Sequence, residues 1–223
     1  MPHKPVLVLA SNSPRRSSLL GLGGWMFYVR PVQIDESPRA NETPREYVLR
    51  LAESKARACA QTARPGEIIL GADTTVTLGE TILGKPADLA EAFAMLKQLR
   101  GKTHQVYTAI AILDTKTNTM VTDVCITNVP MRNYSDEEIR LYVMSGDPLD
   151  KAGAYAIQNE SFKPVPELTG CLASVIGLPL CHLSRSLKKL DISSRVNIAA
   201  QCQSELKYTC PISARVLAGE EIG

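Results

Sequence analysis

Short, continuously apolar runs alternate along the chain with segments in which apolar residues recur every three to four positions. Residues 5–10 and Glu67–Leu70 have the unbroken apolar character of buried strands. The segment after Asp88 shows helical spacing instead, with an apolar stripe formed by Leu89, Ala92, Phe93, Leu96 and Leu99. This alternation of strands and helices predicts an α/β fold.

Capping residues define where several of these helices begin. Thr43-Pro44-Arg45-Glu46 is a capping box with proline at the first helical position, and Ser135-Asp136-Glu137-Glu138 is a second capping box. The predicted N-caps are Ser13, Thr43, Asp88 and Ser135, and their helices are predicted to end near Gly21, Ala60, Gly101 and Gly146.

The remaining elements are predicted from alternation and from turn residues. Gly79-Glu80 suits the turn of a hairpin within Thr74–Leu83. Strands are predicted for His104–Leu113, Met120–Met131 and, with a bend, Gly170–Leu180, and a helix for Leu183–Leu190. After Asp191 no steady period continues. We therefore predict one domain over residues 1–190 and a tail of uncertain structure over 191–223.

Charge and cysteine content exclude several classes of protein. The net charge of +2 differs from that of a basic nucleic-acid binder, so no nucleic-acid partner is expected. The apolar run at Val6–Ala10 is too short for a secretion signal or a membrane span, which favours a cytoplasmic protein without a membrane partner. None of the six cysteines forms a CxxC pair, so a zinc site or a disulfide framework is not expected.

The first candidate site is the loop that joins the first strand to the first helix. Its sequence is Ser11-Asn12-Ser13-Pro14-Arg15-Arg16, and free backbone N–H groups at a helix start attract phosphate, to which two arginines add donors. The alternative is an ordinary capped helix that carries two surface arginines.

Two further candidates combine charge with an apolar setting. Lys55 follows Val48, Leu51 and Ala52 at helical spacing, so its ammonium falls on the apolar face of its helix. Asp73 stands at the predicted end of an apolar strand, where it could hold Mg²⁺ or activate water. The alternatives are a lysine that extends past the edge of the core and an aspartate that caps a turn.

Three loop segments add charged or polar groups. Gly84-Lys85-Pro86 offers a lysine to a phosphate, and Asp35-Glu36 offers paired carboxylates to a divalent cation. The run from Asp150 to Tyr155, followed by Gln158, has the small and polar residues of a binding loop. Each segment could equally be a solvated loop. Together, however, these cations and carboxylates suit a polyphosphate ester with Mg²⁺ or Mn²⁺ better than a sugar, a lipid or a peptide.

The order of these motifs resembles the Maf family of nucleoside triphosphate pyrophosphatases. The matching pieces are LASNSPRR (Leu9–Arg16), Asp35-Glu36, LAESKA (Leu51–Ala56), GADT (Gly71–Thr74), GKP (Gly84–Pro86), GKTHQVYT (Gly101–Thr108), SGDPLDKAGAYAIQ (Ser145–Gln158) and VIGLPL (Val175–Leu180). They cover the chain from about residue 5 to 190 in the order and spacing of the family.

This resemblance implies a fold, a reaction and a set of roles. The fold would be an elongated mixed sheet flanked by helices, in two lobes with the nucleotide between them, as in inosine triphosphatases, and a homodimer is left open. The reaction would convert a nucleoside triphosphate and water to the monophosphate and pyrophosphate. Asp73 would activate the water, Glu36 and Asp73 would associate with the divalent metal, and Ser11, Arg16, Lys55 and Lys85 would bind phosphate.

Three residues resemble the branch of the family that hydrolyses dTTP and UTP. They are Arg15, Thr74 and Gln158. A neutral glutamine amide can both donate to and accept from a uracil or thymine edge, whereas a guanine edge favours a carboxylate. The alternatives are an enzyme of the 7-methyl-GTP type and a nucleotide-binding regulator of septum formation.

Overall fold

The computed structural model describes residues 6–223, and the predicted strand at 5–10 therefore begins one residue outside this range. One mixed sheet organises the chain, with strands in the order β2-β1-β3-β5-β6 and β4 paired to β3. The strands are β1 (Leu7–Leu9), β2 (Phe27–Val29), β3 (Ile68–Leu78), β4 (Thr81–Leu83), β5 (Thr103–Asp114) and β6 (Thr119–Pro130). β1 runs parallel to β2 and β3, and the other pairs are antiparallel. The predicted α/β class is confirmed.

Helices cover the sheet on both faces. They are α1 (Pro14–Gly21), α2 (Pro44–Ala60), α3 (Leu89–Leu99), α4 (Asp136–Met144), α5 (Leu172–Ile176), α6 (Leu180–Lys188), α7 (Ile198–Leu206) and α8 (Ser213–Leu217), with two 3₁₀ turns at Asp147–Asp150 and Ala152–Ala154. All four predicted N-caps are confirmed, because each side chain accepts a hydrogen bond from the backbone N–H three residues later. Both capping boxes are complete.

The apolar core divides along the length of the long strands. Ile68, Leu70 and Ala72 in the first half of β3 pack with α1 and with α5 to α8, and Ile69 packs with α2 on the opposite face. Val76, in the second half of β3, packs instead with α3, α4 and the segment around Tyr155. The molecule therefore has two lobes, and β3 passes from one lobe to the other near residues 73 and 74.

Asp73 does not end a strand, which corrects the position predicted for it. β3 continues without interruption to Leu78, and Asp73 pairs with Ala109 of β5 in the middle of the ladder. The polar residues Asp73-Thr74-Thr75 hid this continuity, because a polar interruption in an apolar run is read as the end of a strand. Ten consecutive pairs with β5 hold the strand in register through this segment.

The strand predicted for Gly170–Leu180 is wrong. The segment forms the short helix α5, which is capped by the Cys171 side chain and ends where Gly177 adopts φ +131°. A short apolar run cannot be assigned to a strand or to a buried helix by its pattern alone.

Residues 191–223 contain two helices where the sequence predicts no regular element. α7 is capped by Asn197 and buries only Ile198 and Cys202, while α8 buries Ser213 and Val216. Two buried positions per helix are too few to produce a visible period. These helices nevertheless extend the core, because Ile198, Cys202 and Val216 belong to the cluster around β1 and α6.

Candidate active site

A cleft of about 390 Å³ opens between the two lobes. Eight of the residues singled out from the sequence line it: Ser11, Arg15, Arg16, Glu36, Lys55, Thr74, Lys85 and Gln158. Asp73 lies immediately behind this surface, in contact with Lys55. Motifs that are separated by up to 147 positions in the sequence thus converge on one site.

The floor of the cleft is a charge cluster centred on the ammonium of Lys55. Its Nζ lies 2.6 Å from Oδ1 of Asp73 and 2.7 Å from Oε1 of Glu36. Only 8% of Lys55 and 6% of Asp73 are exposed, so the prediction of a lysine on the apolar face of α2 is confirmed. Charges removed from water require such close partners.

Close packing between α2 and β3 brings these groups together. A Cβ atom on Gly71 would lie 2.1 Å from the carbonyl oxygen of Ala52, so only glycine allows this approach. Ala52 and Ala56, which flank Lys55 on the same helix face, are fully buried. Small residues on both elements therefore set the distance over which Lys55 reaches Asp73.

The two carboxyl groups on the floor differ in electrostatic environment. Burial raises the pKa of Asp73, and this effect exceeds the opposing attraction of Lys55 and Arg16. Burial also acts to raise the pKa of Glu36, but the hydrogen bond and charge of Lys55 outweigh it and lower that pKa. The cluster thus contains one carboxyl group with a raised pKa, that of Asp73, and one with a lowered pKa, that of Glu36.

Arg16 ties three elements together at the side of the cleft. Its guanidinium donates to the Gly177 carbonyl at 3.0 Å, to Oγ of Ser11 at 3.3 Å and to Oγ1 of Thr74 at 3.1 Å. Burial lowers the pKa of Arg16, while Asp73 and Glu36 oppose that change. Thr74 also pairs with Thr108, whose hydroxyl contacts the carbonyl of Ser174 at 2.8 Å. The start of α1, the middle of β3 and the end of α5 are therefore fixed relative to one another.

The start of α1 has the geometry that the sequence predicts. The Ser13 side chain accepts from the Arg16 N–H at 3.4 Å, and Oγ of Ser11 accepts from the Ser13 N–H at 3.2 Å. Asn12 is exposed between them and lines the cleft. The positive end of the helix dipole thus faces the cavity.

The rim of the cleft is more exposed and more loosely paired than the floor. Arg15 reaches Asp150 across the opening at 3.3 Å, with 37% and 65% of the two side chains exposed. Lys85 and Gln158 are exposed on the cleft wall, and within residues 6–223 Lys85 has no carboxylate within ion-pair distance.

Two parts of the site are not identified by the sequence. Lys151 lines the cleft and binds Asp147 at 2.9 Å and Asp150 at 2.6 Å, although its motif had been singled out only as a binding loop. An apolar wall also lines the cleft, formed by Val32, Val76, Val106, Tyr155, Val175 and Ile176. These residues come from separate segments, and isolated apolar residues carry no sequence signal that distinguishes a cleft from a core.

His104 supports this wall. Its Nε2 lies 2.8 Å from the hydroxyl of Tyr155, and the two rings meet edge to face. Burial lowers the pKa of His104 to about 4, so the imidazole is neutral near pH 7. The neutral imidazole therefore serves as a structural hydrogen-bond partner of Tyr155.

Two carboxylates on the floor of the cleft are candidate ligands for a divalent cation. Within residues 6–223 no group of three or more His, Cys, Asp or Glu residues is placed to hold a metal ion. Mg²⁺, however, is commonly held by one or two carboxylates together with water and substrate phosphates. Glu36 in the loop before α2 and Asp73 on β3 both contact Nζ of Lys55, and this pair of carboxylates fits that mode.

Cations and carboxylates gathered in a cleft beside a helix start define a site for a phosphorylated ligand. Comparison with known proteins agrees with this class: residues 6–190 match the family described as Maf-like protein. The chain belongs to the Maf family. None of the helices described for residues 6–223 has the length and apolar character needed to cross a membrane.

Curated relatives share much of the sequence. The chain is 47% identical over 182 residues to a dTTP/UTP pyrophosphatase of Geobacter sp. (strain M21), covering 82% of this chain and 94% of the relative. It is 44% identical over 187 residues to a protein of the same name from Anaeromyxobacter dehalogenans (strain 2CP-C), covering 83% and 94%. The similarity therefore spans nearly the whole length of these relatives.

Solved structures show a weaker likeness. A HAM1 protein from Coxiella burnetii has a TM-score of 0.40 at 21% identity, covering 70% of this chain and 89% of that chain. A dITP/XTP pyrophosphatase from Mycobacterium abscessus has a TM-score of 0.42 at 14% identity, covering 83% and 94%. The family assignment rests on the sequence matches alone.

Proposed function

We propose that this protein is a nucleoside triphosphate pyrophosphatase that hydrolyses dTTP and UTP to the monophosphate and pyrophosphate. The observation that carries the proposal is the convergence of separate motifs on one cleft, with Lys55 held between Asp73 and Glu36 at its floor. The names of the relatives that share 41–47% identity supply the substrates.

Asp73 would act as the general base. Within residues 6–223 its side chain hydrogen-bonds only through Oδ1, to Lys55, so Oδ2 would accept the proton from water. The water oxygen then forms a bond to the α-phosphorus, and the bond from that phosphorus to the bridging oxygen breaks. The electron pair leaves with pyrophosphate. Such general-base assistance contributes about 10²–10⁴ in rate.

Cations around the cleft would neutralise the leaving group. Lys85, Arg16 and the helix start at Asn12 and Ser13 all line the cavity. Lys55 contacts both Asp73 and Glu36, and its charge would act on the phosphates from the floor. Glu36 and Asp73 would hold Mg²⁺ or Mn²⁺, which supplies charge neutralisation across the phosphates when bound.

The rim is suited to selecting the base. Gln158 presents a neutral amide that can donate and accept, and Arg15 can donate to a carbonyl. Thr74 contributes through its hydrogen bond with Arg16. The apolar wall at Val175 and Ile176 provides the surface that a planar base requires.

A substrate panel tests the proposal. Purified protein is incubated with UTP, dTTP, CTP, GTP, ATP and 7-methyl-GTP with Mg²⁺ or Mn²⁺ in ¹⁸O-labelled water, and the products are separated by mass. The proposal expects the label in UMP and dTMP, and unlabelled pyrophosphate. Label in inorganic phosphate would contradict the reaction. Turnover confined to guanine nucleotides would favour the 7-methyl-GTP type, and no turnover would favour a binding regulator.

Two further expectations remain predictions. The first is a cytoplasmic location, and the second is a homodimer. Light scattering during size-exclusion chromatography, with and without UTP, would determine whether the chain forms a dimer.

A further inference from the structure

Helix α5 forms one wall of the nucleotide cleft. Val175 and Ile176 line the cavity, and the carbonyl of Gly177 accepts the hydrogen bond from Nε of Arg16. The carbonyl of Ser174 accepts from Thr108. The position of this five-residue helix therefore sets both the apolar wall and the orientation of Arg16.

The segment that leads into α5 is held between the sheet and the hydroxyl of Tyr208. Tyr208 Oη lies 2.9 Å from the carbonyl oxygen of Leu168 and 2.8 Å from that of Gly170, so one proton is shared between two acceptors. A Cβ on Gly170 would lie 2.5 Å from Cγ2 of Thr127, so the segment also packs closely against β6. The Tyr208 hydroxyl and this packing together fix the position of the segment.

Tyr208 is itself firmly placed by α7. Its N–H donates to the carbonyl of Gln203 at 3.1 Å, and the Gln203 side chain accepts from the Cys210 N–H at 2.9 Å. Cys202 of α7 packs in the same cluster as Cys171 and Ala173 of α5. Burial raises the pKa of Tyr208 to about 12, so the hydroxyl keeps its proton at neutral pH.

This support comes from outside the part of the chain that the family match covers. That match ends at residue 190, and Tyr208 and α7 follow it. We infer that Tyr208 is a positioning residue, which fixes the α5 wall of the cleft through the carbonyls of Leu168 and Gly170. Residues 191–223 are on this account a functional part of the nucleotide site rather than an appendage.

A shift of α5 should affect nucleotide binding and the chemical step to different extents. Through Val175, Ile176 and the contact to Arg16, α5 would act on the bound nucleotide, whereas Asp73 and Lys55 are held by β3 and α2. Loss of the Tyr208 hydroxyl should therefore weaken substrate binding more than it slows the chemical step. This expectation rests on the proposed function, because it assumes that the cleft binds the nucleotide.

The test replaces Tyr208 with Phe, which keeps the ring and removes the hydroxyl. Tyr134→Phe is the matched control, because its hydroxyl also bonds a buried backbone carbonyl, that of Leu96 at 2.8 Å, away from the cleft. We expect Tyr208→Phe to raise KM for UTP about three- to tenfold, with kcat within about twofold of wild type. Tyr134→Phe should leave KM unchanged.

Hydrogen exchange provides a readout that does not depend on turnover. The amides of Val175 and Gly177, which bond to Cys171 and Ala173, should exchange faster in Tyr208→Phe than in wild type or Tyr134→Phe. Unchanged exchange, or a KM that matches the control, would overturn the inference. An inactive wild-type protein would instead overturn the proposed function, and the exchange measurement would still decide the role of Tyr208.

Discussion

The floor and the rim of the cleft carry similar charges in different surroundings. On the floor, Lys55 lies within 2.7 Å of two carboxylates and is almost completely buried. On the rim, Arg15 and Asp150 meet at 3.3 Å with much of each side chain in solvent. Removing one partner of a buried ion pair is costly, because it leaves an uncompensated charge in the interior. An exposed ion pair contributes little to stability, because solvent screens it. From this difference we propose that the floor carries out the chemical step and that the rim selects the substrate.

Removing the base should give the largest effect. Asp73→Asn preserves the size of the side chain but removes its capacity to accept a proton, so kcat should fall about 10²–10⁴-fold. Release of pyrophosphate from UTP measures the loss. Glu53→Gln is the control and should retain full activity, because this partly exposed carboxylate on α2 pairs with Arg57 and does not line the cleft. Full activity in Asp73→Asn would show that Asp73 is not the general base.

The burial of Asp73 also predicts a dependence of stability on pH. Because its pKa is raised in the folded state, the unfolded chain releases this proton at lower pH than the folded chain does. Wild type should therefore lose stability relative to Asp73→Asn as the pH rises from the ordinary aspartate value of 3.8 through the raised value. Thermal unfolding of both proteins between pH 4 and pH 7 measures this. A difference in Tm that is independent of pH would show that the pKa is not raised.

Changing the rim should alter selectivity rather than rate. Gln158→Glu replaces a group that can donate and accept with one that only accepts, so kcat/KM for UTP should fall about tenfold. Relative turnover of GTP should rise, since guanine presents adjacent donors. Competition between UTP and GTP in one reaction measures the change, with the exposed Gln61→Glu as control. An unaltered preference would exclude Gln158 from base recognition.

The smallest effect is expected at the exposed pair on the rim. Asp150→Asn weakens the contact to Arg15, which then turns toward substrate more freely, so KM for UTP should change by about two- to threefold. This change should diminish in high salt, because exposed charges are screened. Initial rates at two salt concentrations would measure it. A loss as large as that of Asp73→Asn would show that the rim acts in the chemical step.

The sequence predicts the chemistry of the site better than its architecture. Lys55 is identifiable because helical spacing places it on an apolar face, and the N-caps because a capping side chain bonds only three residues away. Asp73 is predicted at a strand end, because its true position in the middle of β3 depends on ten pairs with β5 whose partners lie 28 to 46 residues further along the chain. Local patterns do not contain such distant pairings.

Weak local signals explain why the sequence does not predict α5 or the helices within residues 191–223. The apolar run around α5 becomes a helix because Cys171 caps it and Gly177 ends it. The helices α7 and α8 bury two side chains each, and they are held in place by packing against the apolar cluster around α6. Tyr208 has no sequence signal at all, because its partners are backbone carbonyls near residue 170.

Single-turnover hydrolysis of UTP, at an enzyme concentration high enough to bind all of the UTP, most directly tests the proposed roles of the floor and the rim. Enzyme in excess over labelled UTP, mixed in the presence of Mg²⁺, reports the chemical step without product release. The account predicts a rate at least about 100-fold below wild type for Asp73→Asn, and a rate within about twofold of wild type for Gln158→Glu. Equal losses in the two variants, or a larger loss in Gln158→Glu, would contradict it.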